Sequence, residues 1–156
     1  MSTYILAFLV GIVVGLRCMT PPAAVSWAAH SGWLHLENTP LAFLGYAAMP
    51  YVFTVLAIAE LVNDKLPKTP SRKAPLGFTV RVVSGGLCGA ALGASNQMLI
   101  SGLLAGVAGG VVGMFGGYEF RARLVKAIGG KDLPIALLED AIAVFGSIFI
   151  VLQFRA

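Results

Sequence analysis

Charged residues are scarce in this sequence. Of its 156 residues only 12% are Asp, Glu, Lys or Arg, whereas 58% are hydrophobic. A soluble helical bundle needs polar faces, and the apolar segments of this chain lack them. The sequence also lacks the interleaved aromatic and basic residues of a nucleic-acid surface, so no nucleic-acid partner is expected. The composition therefore predicts an integral membrane protein whose partner is the lipid bilayer.

Residues that commonly bind metals or act as nucleophiles are few as well. The two cysteines, Cys18 and Cys88, have no CxxC or CxxH partner, and we expect both to be packing residues rather than a disulfide. No nucleophile elbow, phosphate-binding loop or HExxH motif occurs, so we expect no enzyme, cofactor or metal. Copper binding is a weaker alternative, because no spacing repeats among the soft ligands Cys18, Met19, His30, His35 and Met49.

Apolar runs long enough to cross a membrane make up most of the chain. A hydrocarbon core of about 30 Å takes roughly 20 helical residues. Five full spans are predicted over residues 4–19, 41–62, 76–94, 98–118 and 134–154. Residues 23–36 are too short to span easily and are predicted as a broken or interfacial helix, with Trp27 and Trp33 at the headgroups. The predicted fold is an all-α, polytopic transmembrane bundle, with residues 1–156 in a single membrane domain.

The position of the basic residues sets the expected topology. No basic residue precedes the first apolar stretch and no small-residue cleavage site follows it, so we expect this stretch to remain as a membrane helix. Lys and Arg concentrate in residues 63–74 and 121–131, which the positive-inside rule places in the cytoplasm. Five spans then put the N-terminus inside. If residues 23–36 do cross, there are six spans and the N-terminus lies outside.

A charged hairpin occurs twice in the sequence. Aligned without a gap, the two copies pair Glu60 with Glu119, Arg72 with Lys131, Pro75 with Pro134, and Arg81 with Asp140. Both prolines are expected in the first turn of a helix, where the missing amide costs nothing. Because both basic loops face the same side, the pattern predicts a weak parallel internal repeat.

The charged residues of these hairpins are expected at one depth. Some end helices that run inward and others lie one or two turns into helices that run outward, so they can form a ring near the cytoplasmic interface. The ring comprises Glu60, Asp64, Arg81, Glu119, Arg121, Arg123, Glu139 and Asp140. Two interpretations are open: the charges neutralise one another and reach water, or they bind an ion as it passes.

Arg17 is the most informative single residue. It ends the first apolar stretch beside the break at Thr20-Pro21-Pro22, and about 20 Å of helix before it predicts a position in the outer half of the bilayer. Irregular backbone at membrane depth must be buried in protein or line a cavity. A fixed cation beside open amides suits an anionic group. In the alternative, Arg17 pairs with an acid elsewhere or reaches outward to water.

Glycine is dense in one predicted span. Spacings of four residues recur among Gly102, Gly106, Gly109, Gly110, Gly113, Gly116 and Gly117. Such a face lets two helix backbones approach closely, and the favoured interpretation is packing within one subunit. A homodimer seam along residues 102–117, or a narrow permeation path, is the alternative.

Several runs resemble one known family. They are Ala59-Glu60-Leu61-Val62-Asn63-Asp64-Lys65-Leu66-Pro67, Gly15-Leu16-Arg17 before a proline, Gly117-Tyr118-Glu119-Phe120-Arg121, and Leu138-Glu139-Asp140-Ala141-Ile142-Ala143. The chain resembles the bacterial membrane family catalogued as domain of unknown function 4126. The resemblance covers nearly the whole chain and implies a polytopic bacterial membrane protein, but it implies no reaction.

These observations predict a small transporter or channel-like protein of the bacterial inner membrane, which moves a small ion or polar metabolite. The candidate binding residues are Arg17, Glu60, Asp64, Arg81, Glu119, Glu139 and Asp140. The alternative is a non-transporting scaffold or accessory subunit whose basic cytoplasmic loops dock a partner. An enzyme acting on lipid head groups through Glu139 and Asp140 has little support, because nothing supplies a nucleophile or metal.

Overall fold

The computed structural model describes residues 2–64 and 75–155, and all regular structure within these ranges is helical. The helices are α1 (Thr3–Leu16), α2 (Thr20–His30), α3 (Met49–Asn63), α4 (Pro75–Ala94), α5 (Leu99–Ala127) and α6 (Leu133–Leu152), with a short 3₁₀ helix at Ala42–Gly45. The predicted all-helical class is confirmed. The basic residues Lys65, Lys68, Arg72 and Lys73 lie outside the described residues.

Three helices, α4, α5 and α6, are long and apolar enough to cross a membrane. The apolar helices α1 and α3 are shorter, at 14 and 15 residues. Pro75 and Pro134 occupy the first turns of α4 and α6, as predicted, because a proline there removes no helical hydrogen bond. The five predicted spans are not confirmed, because three helices of the described residues have the length and hydropathy needed to cross a membrane. The predicted short segment corresponds to the helix α2, which begins at Thr20.

The distribution of polarity is inverted relative to a water-soluble protein. Large apolar side chains lie on the outside of the bundle, and Leu76, Ile100 and Phe145 are 77%, 73% and 72% exposed. Arg17 and Glu139, by contrast, are each 1% exposed. Continuous apolar surface is costly in water but is solvated by hydrocarbon. The surface therefore has the character of a membrane protein.

The bundle has two distinct ends. At the first, which we call the turn end, the Asn96 amide donates to the Thr3 hydroxyl at 2.8 Å, and the His35 amide donates to the Ser95 hydroxyl at 3.3 Å. At the opposite, charged end, Arg17 contacts Asp64 and Asp140. The six α-helices run alternately between these ends, so α1 starts beside the turn at residues 95–97 and α2 runs back toward it.

The position predicted for Arg17 is wrong. We expected Arg17 in the half of the bundle opposite the acidic residues, but it lies among them at the charged end. The prediction counted helix length from an N-terminus on the basic side, whereas α1 begins at the turn end. This order of helices matches the alternative in which residues 23–36 run between the two ends.

Glycines draw α5 close to both α1 and α4. A Cβ added at Gly106 would collide with the carbonyl oxygen of Gly85 in α4, and one added at Gly109 would collide with that of Phe8 in α1. The predicted packing within one subunit is therefore confirmed. Gly116 differs, because within residues 2–64 and 75–155 no atom lies within 4 Å of its added Cβ.

The predicted internal repeat is not confirmed. Helix α5 packs against α1 and α4, whereas α6 packs mainly against α1 and α2. The paired residues Glu60 and Glu119 also differ in environment. Glu60 bonds the connection between α1 and α2, while the side chain of Glu119 is 59% exposed.

Candidate functional site

The connection between α1 and α2 leaves backbone groups that neither helix can satisfy. Helix α1 ends at Leu16, and α2 starts at Thr20 with prolines in its first turn. The last carbonyls of a helix and the first amides of the next one need other partners, and hydrocarbon supplies none. Two charged side chains from α3 and α4 fill this need.

Glu60 of α3 caps the start of α2. Its carboxylate accepts hydrogen bonds from the backbone amides of Cys18 and Met19, both at 2.9 Å, and from the Cys18 thiol at 3.0 Å. A negative charge at this position also interacts favourably with the positive end of the α2 dipole. Glu60 thus replaces the side-chain cap that the local sequence does not provide.

Arg81 of α4 plays the complementary role at the end of α1. Its Nε donates to the Gly15 carbonyl oxygen at 3.2 Å, and its Nη1 donates to the Gly77 carbonyl oxygen at 3.2 Å. The residue is 9% exposed. Glu60 and Arg81 therefore hold the two sides of the helix break.

Arg17 lies within the break and contacts three acids. Its Nε donates to Asp140 Oδ1 at 2.6 Å and its Nη2 donates to Asp64 Oδ2 at 2.8 Å. The same Nη2 is 3.5 Å from Glu139 Oε2. Such charge-assisted bonds are stronger than neutral ones, and low polarity in the surroundings strengthens them further.

Arg121 of α5 joins the same acids from the opposite side. Its Nη1 lies 3.1 Å from Asp64 Oδ2 and 3.2 Å from Glu139 Oε2, and its Nε donates to Asp132 at 2.8 Å. Two carboxylate oxygens are therefore shared by the two guanidinium groups. We call these residues the charge network: Arg17, Asp64, Arg121, Asp132, Glu139 and Asp140.

Because most of its side chains are buried, the charge network should matter for the stability of the protein. The side chains of Asp64, Arg121 and Asp140 are 14%, 15% and 13% exposed, and those of Arg17 and Glu139 are 1% exposed. Removing one partner of a buried pair costs about 3–5 kcal/mol, because the other charge stays buried. The network ties the α1–α2 connection to the ends of α3, α5 and α6 at which its members lie.

The structure groups most, but not all, of the predicted binding residues. Arg17, Asp64, Glu139 and Asp140 belong to the charge network, and Glu60 and Arg81 hold the neighbouring break. Glu119 does not join them: it is exposed and pairs with Arg123 at 3.9 Å. The expectation that Glu119 shares a ring with the other acids is therefore wrong, because it points away from the bundle on the surface of α5.

Two network members were not among the predicted binding residues. The sequence places Arg121 in the charged ring but not among the candidate binding residues, and it gives no reason to select Asp132. Asp132 lies across the turn from α5 to α6, where its side chain accepts a hydrogen bond from Arg121 at 2.8 Å. An exposed acid in a loop carries little information without that contact, since most such acids are merely solvated.

Metal binding gains no support from the geometry. Among residues 2–64 and 75–155, no three His, Cys, Asp or Glu residues form a group that could hold a metal ion. The soft ligands considered for copper are also separated. Cys18 contacts Glu60 at the charged end, whereas the His35 amide contacts Ser95 at the turn end. Cys18 and Cys88 are both buried free thiols.

An apolar helical bundle that encloses a charge network at one end defines a small helical membrane protein. The chain belongs to the family described as Domain of unknown function (DUF4126), which matches residues 5–153. The predicted resemblance is thereby confirmed. No curated protein and no solved structure matches the chain.

Proposed function

We propose that this protein is a multi-pass transporter or channel-like protein of the bacterial inner membrane, which moves a small ion or polar metabolite. The observation that carries the proposal is the charge network, in which Arg17 and Glu139 are each 1% exposed inside an apolar bundle. Ionisable groups within membrane segments are costly, and they commonly mark the path of an ion, a proton or a substrate.

The shared oxygens suggest how a substrate could enter the network. Asp64 Oδ2 contacts Arg17 at 2.8 Å and Arg121 at 3.1 Å. An incoming cation or proton can replace one guanidinium group at this oxygen while the other stays bound. Such an exchange avoids the large penalty of leaving a buried charge without a partner. The break held by Glu60 and Arg81 provides the fixed frame for it.

The positive-inside rule orients the proposed transporter. Exposed basic residues, including Arg123 and Lys126, lie at the charged end of α5, so we place that end in the cytoplasm. The turn end, with the start of α1, then faces outward. In this arrangement a substrate meets the charge network at the inner side of the membrane.

Flux through reconstituted liposomes tests the proposal. Purified protein would be assayed with imposed gradients of H⁺, Na⁺, K⁺, Mg²⁺, Cl⁻ and inorganic phosphate. We expect flux of at least one probe above that of empty liposomes, and Asp64→Asn should reduce it at least tenfold. The matched control is Glu119→Gln, which makes the same carboxylate-to-amide change outside the network and should retain the flux.

Two results would count against transport. Folded, monodisperse protein that moves none of these probes faster than empty liposomes would contradict the proposal directly. Equal flux in Asp64→Asn and Glu119→Gln would show that the charge network takes no part in any transport.

A scaffold is the second candidate, and the length of α5 favours it. Helix α5 has 29 residues against 20 in α6, so it is about 13 Å longer. Its last turns carry the exposed residue Lys126, and Lys131 follows in the turn before α6. In this function the basic extension docks an acidic cytoplasmic partner. Lys126→Gln with Lys131→Gln would then abolish site-specific crosslinking from α5 to that partner, whereas Asp64→Asn would not.

A further inference from the structure

A groove opens on the outer surface between α5 and α6. These two helices flank α1 and make few contacts with each other, and the space left between them has a volume of about 290 Å³. Its walls are mainly apolar and come from three helices: Ile12 and Leu16 of α1, Val112, Gly116 and Phe120 of α5, and Ile142 of α6. A groove of this volume and lining suits a slender apolar group.

The groove faces the region that hydrocarbon would occupy. Helices α5 and α6 are both long and apolar enough to cross a membrane. The side chains on the groove walls are open to the outside, since Val112, Phe120 and Ile142 are 53%, 47% and 42% exposed. Gly116 keeps the groove open, because no atom of the described residues lies within 4 Å of the position of a Cβ there. There is therefore room for at least a Cβ at position 116, and we expect a larger side chain to extend into the groove.

The groove also has one polar wall residue, Glu139. Its carboxylate lies 3.2 Å from Arg121 Nη1 and 3.5 Å from Arg17 Nη2. Both guanidinium groups offset its charge from within the bundle. The side chain is 1% exposed, so the surface that the groove presents to an occupant stays largely apolar.

A cationic side chain continues the groove toward the charged end. Gly116, Phe120 and Arg123 follow the spacing i, i+4, i+7 and therefore share one face of α5. Arg123 lies about 10 Å beyond Gly116 along the helix axis. Its side chain is 85% exposed, and its ion pair with Glu119 is 3.9 Å long and exposed as well. Such an exposed ion pair contributes little to stability, so the guanidinium group of Arg123 remains able to bind an anion.

We propose that this groove holds one acyl chain of an anionic phospholipid whose phosphate binds Arg123. The apolar walls match the chain, and the guanidinium group matches a phosphate, which it can bind through two parallel hydrogen bonds. The separation along α5 is also suitable, because the phosphate then lies at the membrane surface while the chain passes Gly116. This lipid site does not depend on whether the protein transports anything.

Lipid-dependent thermal unfolding in detergent tests the site. Full-length protein would be titrated with phosphatidylglycerol and, separately, with phosphatidylcholine of the same acyl chains. We expect Gly116→Leu to weaken the apparent affinity for phosphatidylglycerol at least tenfold. Arg123→Gln should retain chain binding but reduce the preference for phosphatidylglycerol about fivefold, the factor expected for one basic residue at a lipid surface.

The control is Leu104→Phe, which enlarges a side chain of α5 that is 63% exposed and lies outside the groove. Its lipid affinity should equal that of the unaltered chain. Ile142→Phe fills the groove from the opposite wall and provides the same test if Gly116→Leu does not fold. Native mass spectrometry would count the phosphatidylglycerol molecules retained by each variant, and one fewer is expected when the groove is filled.

Three outcomes would overturn the proposal. Unchanged phosphatidylglycerol affinity in the groove-filling variants would show that no chain lies in the groove. Equal preference for phosphatidylglycerol in Arg123→Gln and the unaltered chain would show that the phosphate binds elsewhere. Conversion of a dimer to a monomer by Gly116→Leu, with lipid retention unchanged, would assign the groove to a second copy of this chain.

Discussion

Replacement of Arg17 by Met should destabilise the protein more than any other single change in the charge network. The change removes the contacts to Asp140 at 2.6 Å and Asp64 at 2.8 Å, together with the 3.5 Å approach to Glu139. Arg121 still contacts Asp64 and Glu139, so each of these two acids keeps one cationic partner. Removal of one partner from a buried network costs about 3–5 kcal/mol, which is a large part of the roughly 5–15 kcal/mol that holds a typical domain folded.

Equilibrium unfolding in mixed micelles, followed by helical circular dichroism, would measure this loss. Arg123→Met is the matched control, because it removes the same guanidinium group from an exposed pair and should change the free energy of unfolding by less than about 1 kcal/mol. The double variant Arg17→Met with Asp140→Leu should be more stable, by at least about 0.5 kcal/mol, than the sum of the two single changes predicts. A free energy of unfolding for Arg17→Met within about 1 kcal/mol of that of the unaltered chain would refute the reasoning. It would show that loss of Arg17 does not leave buried acids without compensation.

Three further predictions concern the break, the glycine packing and the topology. Glu60→Gln should reduce stability by about 1–2 kcal/mol by weakening the cap on α2, whereas Glu119→Gln should leave the unfolding midpoint unchanged. Gly109→Ala should reduce the yield of folded protein, because its Cβ would collide with a carbonyl oxygen of α1, while Gly116→Ala should be within about 0.5 kcal/mol of neutral in unfolding measurements. Impermeant thiol reagents should reach cysteines placed at Asn96 and before α1 from the same side of the membrane, and labelling from opposite sides would contradict the order of helices.

Composition and periodicity were sufficient for the class of fold but not for the path of the chain. Apolar runs and helix-starting prolines predict helices directly, and both Pro75 and Pro134 lie where expected. The direction of α1 could not be predicted in the same way. The charged side chain that flanks it, Arg17, is buried against acids and does not belong to a basic loop, so the positive-inside rule gives no direction for α1. The order of helices depends instead on tertiary contacts such as the bond between Asn96 and Thr3.

For the candidate site, too, part of the arrangement could be predicted from the sequence and part could not. The high cost of charge in an apolar bundle was enough to single out Arg17, Asp64, Glu139 and Asp140. That cost does not depend on the direction of a side chain, so it could not separate Glu119 from them. Glu119 lies two residues from Arg121 on α5, and residues two apart do not share a helix face. Which charges meet depends on how the helices pack, and tight glycine contacts set part of that packing by drawing α5 close to α1 and α4.

The structural roles of the buried charges narrow the search for function. Glu60 and Arg81 supply the hydrogen bonds that the break between α1 and α2 requires, so their presence is explained without any substrate. Asp64 and Glu139 take a different part, because one carboxylate oxygen of each lies between two guanidinium groups. A buried ion network rarely stabilises a protein more than apolar residues of the same size would. Within the network, Arg17 also donates to the carbonyl oxygens of Leu16 and Ala136, at 3.3 Å and 3.4 Å. Those bonds do not require the carboxylates of Asp64 and Glu139, so we expect variants of these two acids, rather than of Glu60, to give the sharper test of the proposed function.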